Sequence, residues 1–190
     1  MSAELLNRIR NLEKRIERLG ERPAPFLEDL RFPATPGQQN PAVAKPDYDF
    51  TNLGFLFDAG SVESIYIIAQ MPHDWVAGGI IYPHVHWMPT TTNTGSVVWT
   101  IGYKWTNIDD ADAGSVLYPT VTQAGNGTAY VHQVADITAI DGTGKTSSSI
   151  LSIGLFRNAT DGADTYTGDA LLKEFDIHYM KNPSKSYWTV

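Results

Sequence analysis

The sequence predicts an all-β domain, an antiparallel β-sandwich of the jelly-roll type, preceded by a coiled-coil helix and a proline-rich extended arm. Three observations predict this architecture. Apolar residues recur at heptad spacing over residues 1–20, six of the eleven prolines lie within residues 21–50, and residues 51–190 alternate apolar and polar side chains. We therefore predict three parts with these boundaries: a helix, an arm and a sandwich.

The N-terminal segment carries the apolar seam of a short coiled coil. Its apolar residues are separated by four, three, four and three positions, which places isoleucine at heptad position a and leucine at d. This seam consists of Leu5, Ile9, Leu12, Ile16 and Leu19. A helix this short is unstable alone in water, so the seam predicts partner helices, most simply from copies of the same chain.

Two charged residues beside the seam favour three helices. Arg8-Ile9-x-x-Leu12-Glu13 resembles the Arg-h-x-x-h-Glu trimerisation motif of parallel coiled coils, where h is apolar. Arg8 at g and Glu13 at e would pair between neighbouring helices while the arginine stem covers the core. Isoleucine at a with leucine at d instead favours a dimer, and a helix packed on its own domain is a third alternative. We predict a homotrimer.

The arm at 21–50 is expected to be extended, with little helix or sheet, because proline disrupts both. Its first part nevertheless contains the large apolar residues Phe26, Leu27, Leu30 and Phe32. These residues suggest that the arm lies along a surface of its own or a neighbouring chain. A mobile tether is the alternative.

The remaining chain has the period-two pattern of β-strands, is rich in Val, Ile, Thr, Tyr and Trp, and has no predicted helix longer than a turn. Candidate strands lie at 52–58, 62–71, 79–88, 96–106, 115–122, 128–137, 148–156 and 171–180. Seven to eight short strands of this kind favour a jelly-roll sandwich.

Composition excludes several classes of function. The chain has no cysteine, which removes disulfides and thiolate–metal sites, and no apolar run is long enough to predict membrane insertion. Residues 1–22 hold six Lys or Arg and four Asp or Glu, whereas the rest holds eight and seventeen. We expect no nucleic-acid partner, because binding phosphates requires clustered basic residues.

One histidine pair resembles part of an enzyme motif. Gly78 followed by His84-x-His86 matches the opening of the cupin metal motif, which also occurs in jelly rolls. The glutamate that follows in cupins is replaced by Thr90 and Thr91, and no second motif supplies a distal histidine. A cupin-like metal-dependent enzyme is therefore a lesser alternative, and we predict that the chain is not an enzyme.

The same pair also suggests a structural metal ion. Residues two apart on a strand point to one face, so His84 and His86 could bind one metal, with His178 on the polar face of another strand. The metal would lie either on the three-fold axis, held by three chains, or within one chain. The alternative is a hydrogen-bonded polar cluster of these histidines with Asp176, without metal. No other cofactor is expected.

Two tryptophans are candidates for stacking on sugar rings. Trp75, in the predicted loop QMPHDW, and Trp188, near the end of the chain, are the ones expected to be exposed. Trp99 and Trp105 share the apolar face of a strand and are expected in the core. Exposed Trp75 and Trp188 would support recognition of host-surface glycans.

Four segments resemble a group of uncharacterised tailed-bacteriophage virion-associated proteins. These are QMPHDW (70–75), YPHVHW (82–87), GYKWTNI (102–108) and LFRNATDGADTYTGDALLKEFDIHY (155–179). The resemblance covers roughly residues 70–180 and implies a virion component, without assigned catalytic residues to transfer.

The combined prediction is a homotrimeric virion structural protein. It would be a capsid decoration or head-fibre protein at the virion surface, anchored through its coil and arm on major capsid, tail or neck proteins. The first alternative is a tail-fibre tip or receptor-binding module that recognises host-surface glycans.

Overall fold

The computed structural model describes residues 3–20, 25–34 and 44–182. These residues form one helix, α1 (Ala3–Gly20), and ten strands. The strands are β1 (Phe26–Pro33), β2 (Asp47–Asp49), β3 (Gly54–Phe57), β4 (Glu63–Gln70), β5 (Ile81–Pro89), β6 (Ser96–Thr106), β7 (Thr120–Ala124), β8 (Gln133–Asp136), β9 (Ile150–Arg157) and β10 (Ala170–Lys181).

The strands form two antiparallel sheets. The six-stranded sheet has the order β2-β3-β10-β5-β8, with β1 also paired to β10, and the four-stranded sheet has the order β4-β9-β6-β7. From β3 onward the chain passes between the sheets at every connection except β6 to β7. This confirms the predicted antiparallel sandwich, and the strand order is that of a jelly roll.

Strand β10 lies at the centre of the six-stranded sheet. It pairs with β5 along one edge, and with β3 and then β1 along the other. An irregularity between Leu172 and Glu174 shifts its register. Beyond this bulge, Phe175 and Ile177 point into the core, while Asp176 is one of the few charged residues that are buried.

The core lies between the two sheets and is rich in aromatic side chains. Trp87 of β5 and Trp99 of β6 meet edge to face with ring centroids 6.2 Å apart, and Phe57 packs on Trp99 at 5.2 Å. All three side chains are fully buried. The apolar face read in the sequence for β6 is therefore the inward one.

The expectation of an arm with little sheet is wrong for residues 26–33. They form β1, which pairs antiparallel with β10 over its whole length. Proline occurs only at its end, so no internal proline interrupts the ladder. Leu30 and Phe32 pack against the core, and the Phe32 ring lies 6.1 Å from that of Phe175. Part of the arm thus lies on its own domain, while 21–24 and 35–43 lie outside the described residues.

Helix α1 is present where the sequence predicts it, and all of its described side chains are exposed. The seam residues Leu5, Ile9 and Leu12 are 48%, 38% and 55% exposed. The side chains of Ile16 and Leu19 lie outside the described residues. Pairing with other helices remains a prediction. Among the described helical residues, none form a segment long and apolar enough to cross a membrane.

Candidate functional site

A histidine–aspartate cluster lies on the outer face of the six-stranded sheet. We define it as His84 of β5 with Asp176 and His178 of β10. Pairing of β5 with β10 sets Asp176 directly opposite His84. The neighbouring residues Val85 and Ile177 are fully buried, so strand alternation directs the cluster to the opposite face.

The polar atoms of the cluster are close together. His84 Nδ1 lies 3.2 Å from Asp176 Oδ1, and His178 Nε2 lies 3.5 Å from Asp176 Oδ2. One nitrogen of each histidine and one carboxylate oxygen all fall within 4.8 Å of one another. The Asp176 side chain is only 5% exposed, although it is on the outer face. Such a group of nitrogen and oxygen atoms can hold a divalent metal ion.

His86, the third predicted ligand, lies outside this group of three. Its Nε2 atom is 3.2 Å from Asp176 Oδ2, and its Nδ1 atom is 2.8 Å from His132 Nε2. The rings of His86 and His132 are stacked with centroids 5.0 Å apart. His86 therefore contacts the same aspartate oxygen as His178 and also contacts His132, which no sequence pattern placed near it.

Two further carboxylates border the cluster, and neither was found by sequence reasoning. Asp29 Oδ1 of β1 lies 2.9 Å from His178 Nε2, and Asp136 Oδ1 of β8 lies 3.5 Å from His84 Nε2. Strand pairing places Asp29 opposite His178 and Asp136 opposite His84. Four strands thus contribute to one polar site.

A pocket of about 320 Å³ adjoins the cluster. It is lined by Leu27, Tyr82, His84, Asp136, Ile137 and His178. The pocket lies beside the two histidines, over β10 and β5, with Leu27 of β1 on one side and Asp136 of β8 on the other.

The cupin-like features of the sequence have other roles in the fold. Gly78 has a φ angle of +79°, a left-handed conformation that glycine adopts easily, so a turn accounts for it. The Thr90 hydroxyl donates to the Asp169 carbonyl oxygen at 2.7 Å, and Thr91 Oγ1 lies 3.0 Å from the Tyr166 hydroxyl oxygen. These threonines fix a loop against its neighbours.

The prediction that Trp75 stacks on sugar is wrong. Trp75 is fully buried, and its ring centroid lies 5.5 Å from that of Trp105. An isolated antiparallel β-bridge between Trp75 and Lys181 pairs this loop with the end of β10, where the indole ring is buried. Trp188 lies outside the described residues.

An aromatic trough lies instead on the outer face of the four-stranded sheet. We define it by Tyr66, Gly102, Tyr118, Gly154 and Phe156. Its volume is about 390 Å³. Tyr118 and Tyr66 are 62% and 37% exposed, so ring surface is open to solvent. Lys104 and Ser152 add polar groups to the lining.

Two paired glycines form the floor of the trough. Gly102 of β6 lies opposite Gly154 of β9. A Cβ atom at Gly102 would come within 2.7 Å of the Tyr118 ring, and one at Gly154 within 2.9 Å of the Phe156 ring. The absence of side chains at both positions therefore lets the aromatic rings lie close to the sheet.

No family model and no curated protein matches the chain. Among solved structures, it is similar to an isomalto-dextranase of Arthrobacter globiformis T6 complexed with panose (20% identity, TM-score 0.45), covering 78% of this chain and 23% of that one. It is also similar to a CBM35 from Cellvibrio japonicus Abf62 (10% identity, TM-score 0.46; 82% and 99% covered).

A third similar structure is that of infectious bursal disease virus, Gx strain, with 11% identity and a TM-score of 0.42; 87% of this chain and 34% of that one are covered. The chain thus spans about a quarter of the enzyme and a third of the viral chain. At these identities and scores, the likenesses assign no activity, ligand or partner to this protein.

Proposed function

We propose that the chain is a structural subunit of a phage virion that assembles as a homotrimer through α1 and serves as a capsid decoration or head-fibre protein. The observation that carries this proposal is the exposed apolar seam of α1. Ile9 and Leu12 are 38% and 55% exposed, while the sandwich has its own filled core. Exposed apolar residues at heptad spacing are typical of an association surface.

Burial of the seam supplies a reason to associate. Full burial of one isoleucine or leucine side chain stabilises by about 1.5–3 kcal/mol. The seam offers five such residues in each chain, and three helices would bury them together. Arg8 and Glu13 are exposed beside this seam, where cross-helix pairing between g and e positions would favour the parallel trimer.

The phage assignment is supported by the four sequence segments that resemble tailed-bacteriophage virion-associated proteins. YPHVHW lies in β5, and the segment 155–179 spans the end of β9, the following loop and most of β10. The similarity therefore falls on the strands that build the core and the histidine–aspartate cluster. The proposed role is non-enzymatic attachment, in which many copies convert weak contacts into stable occupancy.

Attachment to particles tests this proposal. The full chain and a chain lacking residues 1–20 are added to purified particles of the encoding phage that lack this protein, and bound copies are counted by quantitative mass spectrometry. We expect near-complete occupancy for the full chain and strongly reduced occupancy for the truncated chain. Equal occupancy would show that the helix does not anchor the protein, and no binding of either chain would contradict the virion role.

Recognition of host-surface glycans is the second candidate function, and the aromatic trough favours it. Sugar rings stack on exposed aromatic faces, and hydroxyl groups bond to nearby polar side chains. The trough combines exposed Tyr66 and Tyr118 with Lys104 and Ser152. The glycan-binding surface proposed here is the trough on the four-stranded sheet, in place of Trp75, which is buried. A glycan array probed with the full chain tests it.

A further inference from the structure

We propose that each chain binds one divalent transition metal ion of the zinc class at the histidine–aspartate cluster, through His84 Nδ1, Asp176 and His178 Nε2. The ligands all come from one chain, so the site does not depend on the proposed trimer. Imidazole nitrogen with carboxylate oxygen is a ligand set suited to zinc and its neighbours in the first transition row.

The spacing of the polar atoms fits a tetrahedral shell. Bonds of about 2.0–2.2 Å from zinc to nitrogen or oxygen place neighbouring ligands roughly 3.3–3.5 Å apart. The separations from Asp176 oxygens to His84 Nδ1 and His178 Nε2 are 3.2 Å and 3.5 Å. These two distances run to different oxygens of Asp176, and one atom from each of the three residues lies within 4.8 Å of the others. Binding one metal ion would therefore require the side chains to rotate toward one another.

Two buried atoms of the cluster give independent support. His84 Nδ1 and Asp176 Oδ1 are inaccessible to solvent, and neither makes a hydrogen bond within the described part of the chain. They face each other at 3.2 Å, without the alignment of a hydrogen bond. Buried polar atoms without hydrogen bonds are costly. Coordination of one cation would satisfy both.

The carboxylates around the cluster complete the site. Asp29 Oδ1, 2.9 Å from His178 Nε2, is placed to supply a fourth ligand from β1. Asp136 Oδ1 lies 3.5 Å from His84 Nε2, the nitrogen that would not bind metal. In many zinc sites a carboxylate hydrogen-bonded to that second nitrogen orients the ring and raises its basicity. Asp136, whose side chain is 79% exposed, would take this role by a small rotation toward His84.

The local charge favours a cation. Asp29 and Asp176 together carry two negative charges when ionised, and among the described ion pairs neither is joined to lysine or arginine. Arg31, the cationic residue on β1, binds both carboxylate oxygens of Glu174 at 2.6 Å, and its charge acts on Asp29 and Asp176 only from a greater distance, without an ion pair to either. A divalent ion would neutralise the two aspartates and join β1, β5 and β10 at one point.

Metal titration of the purified full chain tests the proposal. After treatment with a chelator, Zn²⁺ alone is titrated in competition with a chromophoric chelator, and Co²⁺ absorption reports the coordination geometry. We expect one Zn²⁺ per chain and the visible bands of tetrahedral Co²⁺. His84→Gln and His178→Gln should each weaken binding by about 100-fold, and Asp136→Asn by about 10- to 100-fold.

His73→Gln is the matched control, because His73 contacts Ser148 and lies outside the cluster. Its Zn²⁺ affinity should equal that of the wild type. Circular dichroism shows whether the His84 and His178 variants fold. If either does not, Asp29→Asn provides the test, because Asp29 is half exposed and its replacement should leave the fold intact. We expect this variant to lose about tenfold in Zn²⁺ affinity, and an unchanged affinity would count against the site. No Zn²⁺ binding, equal binding by wild type and folded variants, or one Zn²⁺ per three chains would overturn the proposal.

Discussion

Arg157 and Asp164 form a two-point ion pair that is almost completely removed from solvent. Arg157 Nε and Nη2 donate to the two carboxylate oxygens at 3.1 Å and 2.9 Å, and the side chains are 0% and 1% exposed. The guanidinium also donates to the backbone carbonyls of Phe57, Tyr166 and Gly168. Arg157 thereby joins β9 to β3 and to the loop before β10.

Removing the partner of this buried arginine should destabilise the protein strongly. We expect Asp164→Ala to lower the free energy of unfolding by about 3–5 kcal/mol, because an uncompensated charge would stay buried. Urea unfolding followed by tryptophan fluorescence measures this change.

Asp112→Ala is the control for that experiment. Asp112 pairs with Lys104 at 3.8 Å, but its side chain is 65% exposed, so its loss should cost at most about 1 kcal/mol. Similar losses for Asp164→Ala and Asp112→Ala would contradict the structural role given to the buried pair.

Charges in the seam of α1 should prevent association. We expect Ile9→Asp with Ile16→Asp to convert the trimer to monomers, because like charges would be buried at consecutive a positions. Multi-angle light scattering measures the mass. Asn7→Asp with Asn11→Asp adds the same charge at outward positions and should leave the mass unchanged. A trimeric mass for the isoleucine double variant would rule out the coiled coil.

Glu63 makes stability depend on pH in a predictable direction. Burial raises its pKa above the ordinary 4.5, and the carboxylates of Asp58, Asp47 and Asp169 raise it further, against a lowering hydrogen bond from the Asp58 amide. As the pH rises above 4.5, Glu63 loses its proton in the unfolded chain before it does so in the folded protein. The free energy of unfolding therefore falls until the pH exceeds the pKa that Glu63 has in the folded protein.

We therefore expect Glu63→Gln to match the wild type near pH 4 and to be more stable than the wild type at pH 7.5. Glutamine retains an oxygen that accepts the Asp58 amide hydrogen bond, which is 2.7 Å long in the wild type. Urea unfolding at both pH values measures the difference. If the wild type were more stable than Glu63→Gln at pH 7.5, the upward direction assigned to the pKa shift of Glu63 would be wrong.

The aromatic trough predicts which tyrosine matters for glycan recognition. Tyr118→Ala should weaken any glycan-array signal by about fivefold, since stacking on its exposed ring supplies about 1 kcal/mol. Tyr130→Ala is the control, because Tyr130 is 49% exposed but outside the trough. Equal signals from both variants would exclude the trough as the binding surface.

Alternation along the chain was sufficient to predict the sandwich. Strand β6 spans Ser96–Thr106, as predicted, because large apolar residues recur at every second position from Val97 to Trp105. Strand β1 was missed because the surrounding prolines favoured an irregular arm. The apolar spacing of Leu30 and Phe32 was the available signal for it, yet pairing with β10 is a long-range contact that local propensity does not encode.

The candidate site was only partly predictable for the same reason. His84 and His178 could be found because each lies at an outward position of a clear strand. Asp29 and Asp136 could not, since only the register of β1 and β8 against their neighbours brings them to the histidines. Trp75 was misassigned because a loop position suggested exposure, whereas a contact with the end of β10 buries it.

The native mass of the purified full chain tests the central claim most directly. One chain has a mass of 20.9 kDa. Native mass spectrometry of the wild type should give three times that value at micromolar concentration, with monomers after deletion of residues 1–20. A wild type that remains monomeric at that concentration would contradict assembly through α1, and with it the proposed trimeric virion subunit.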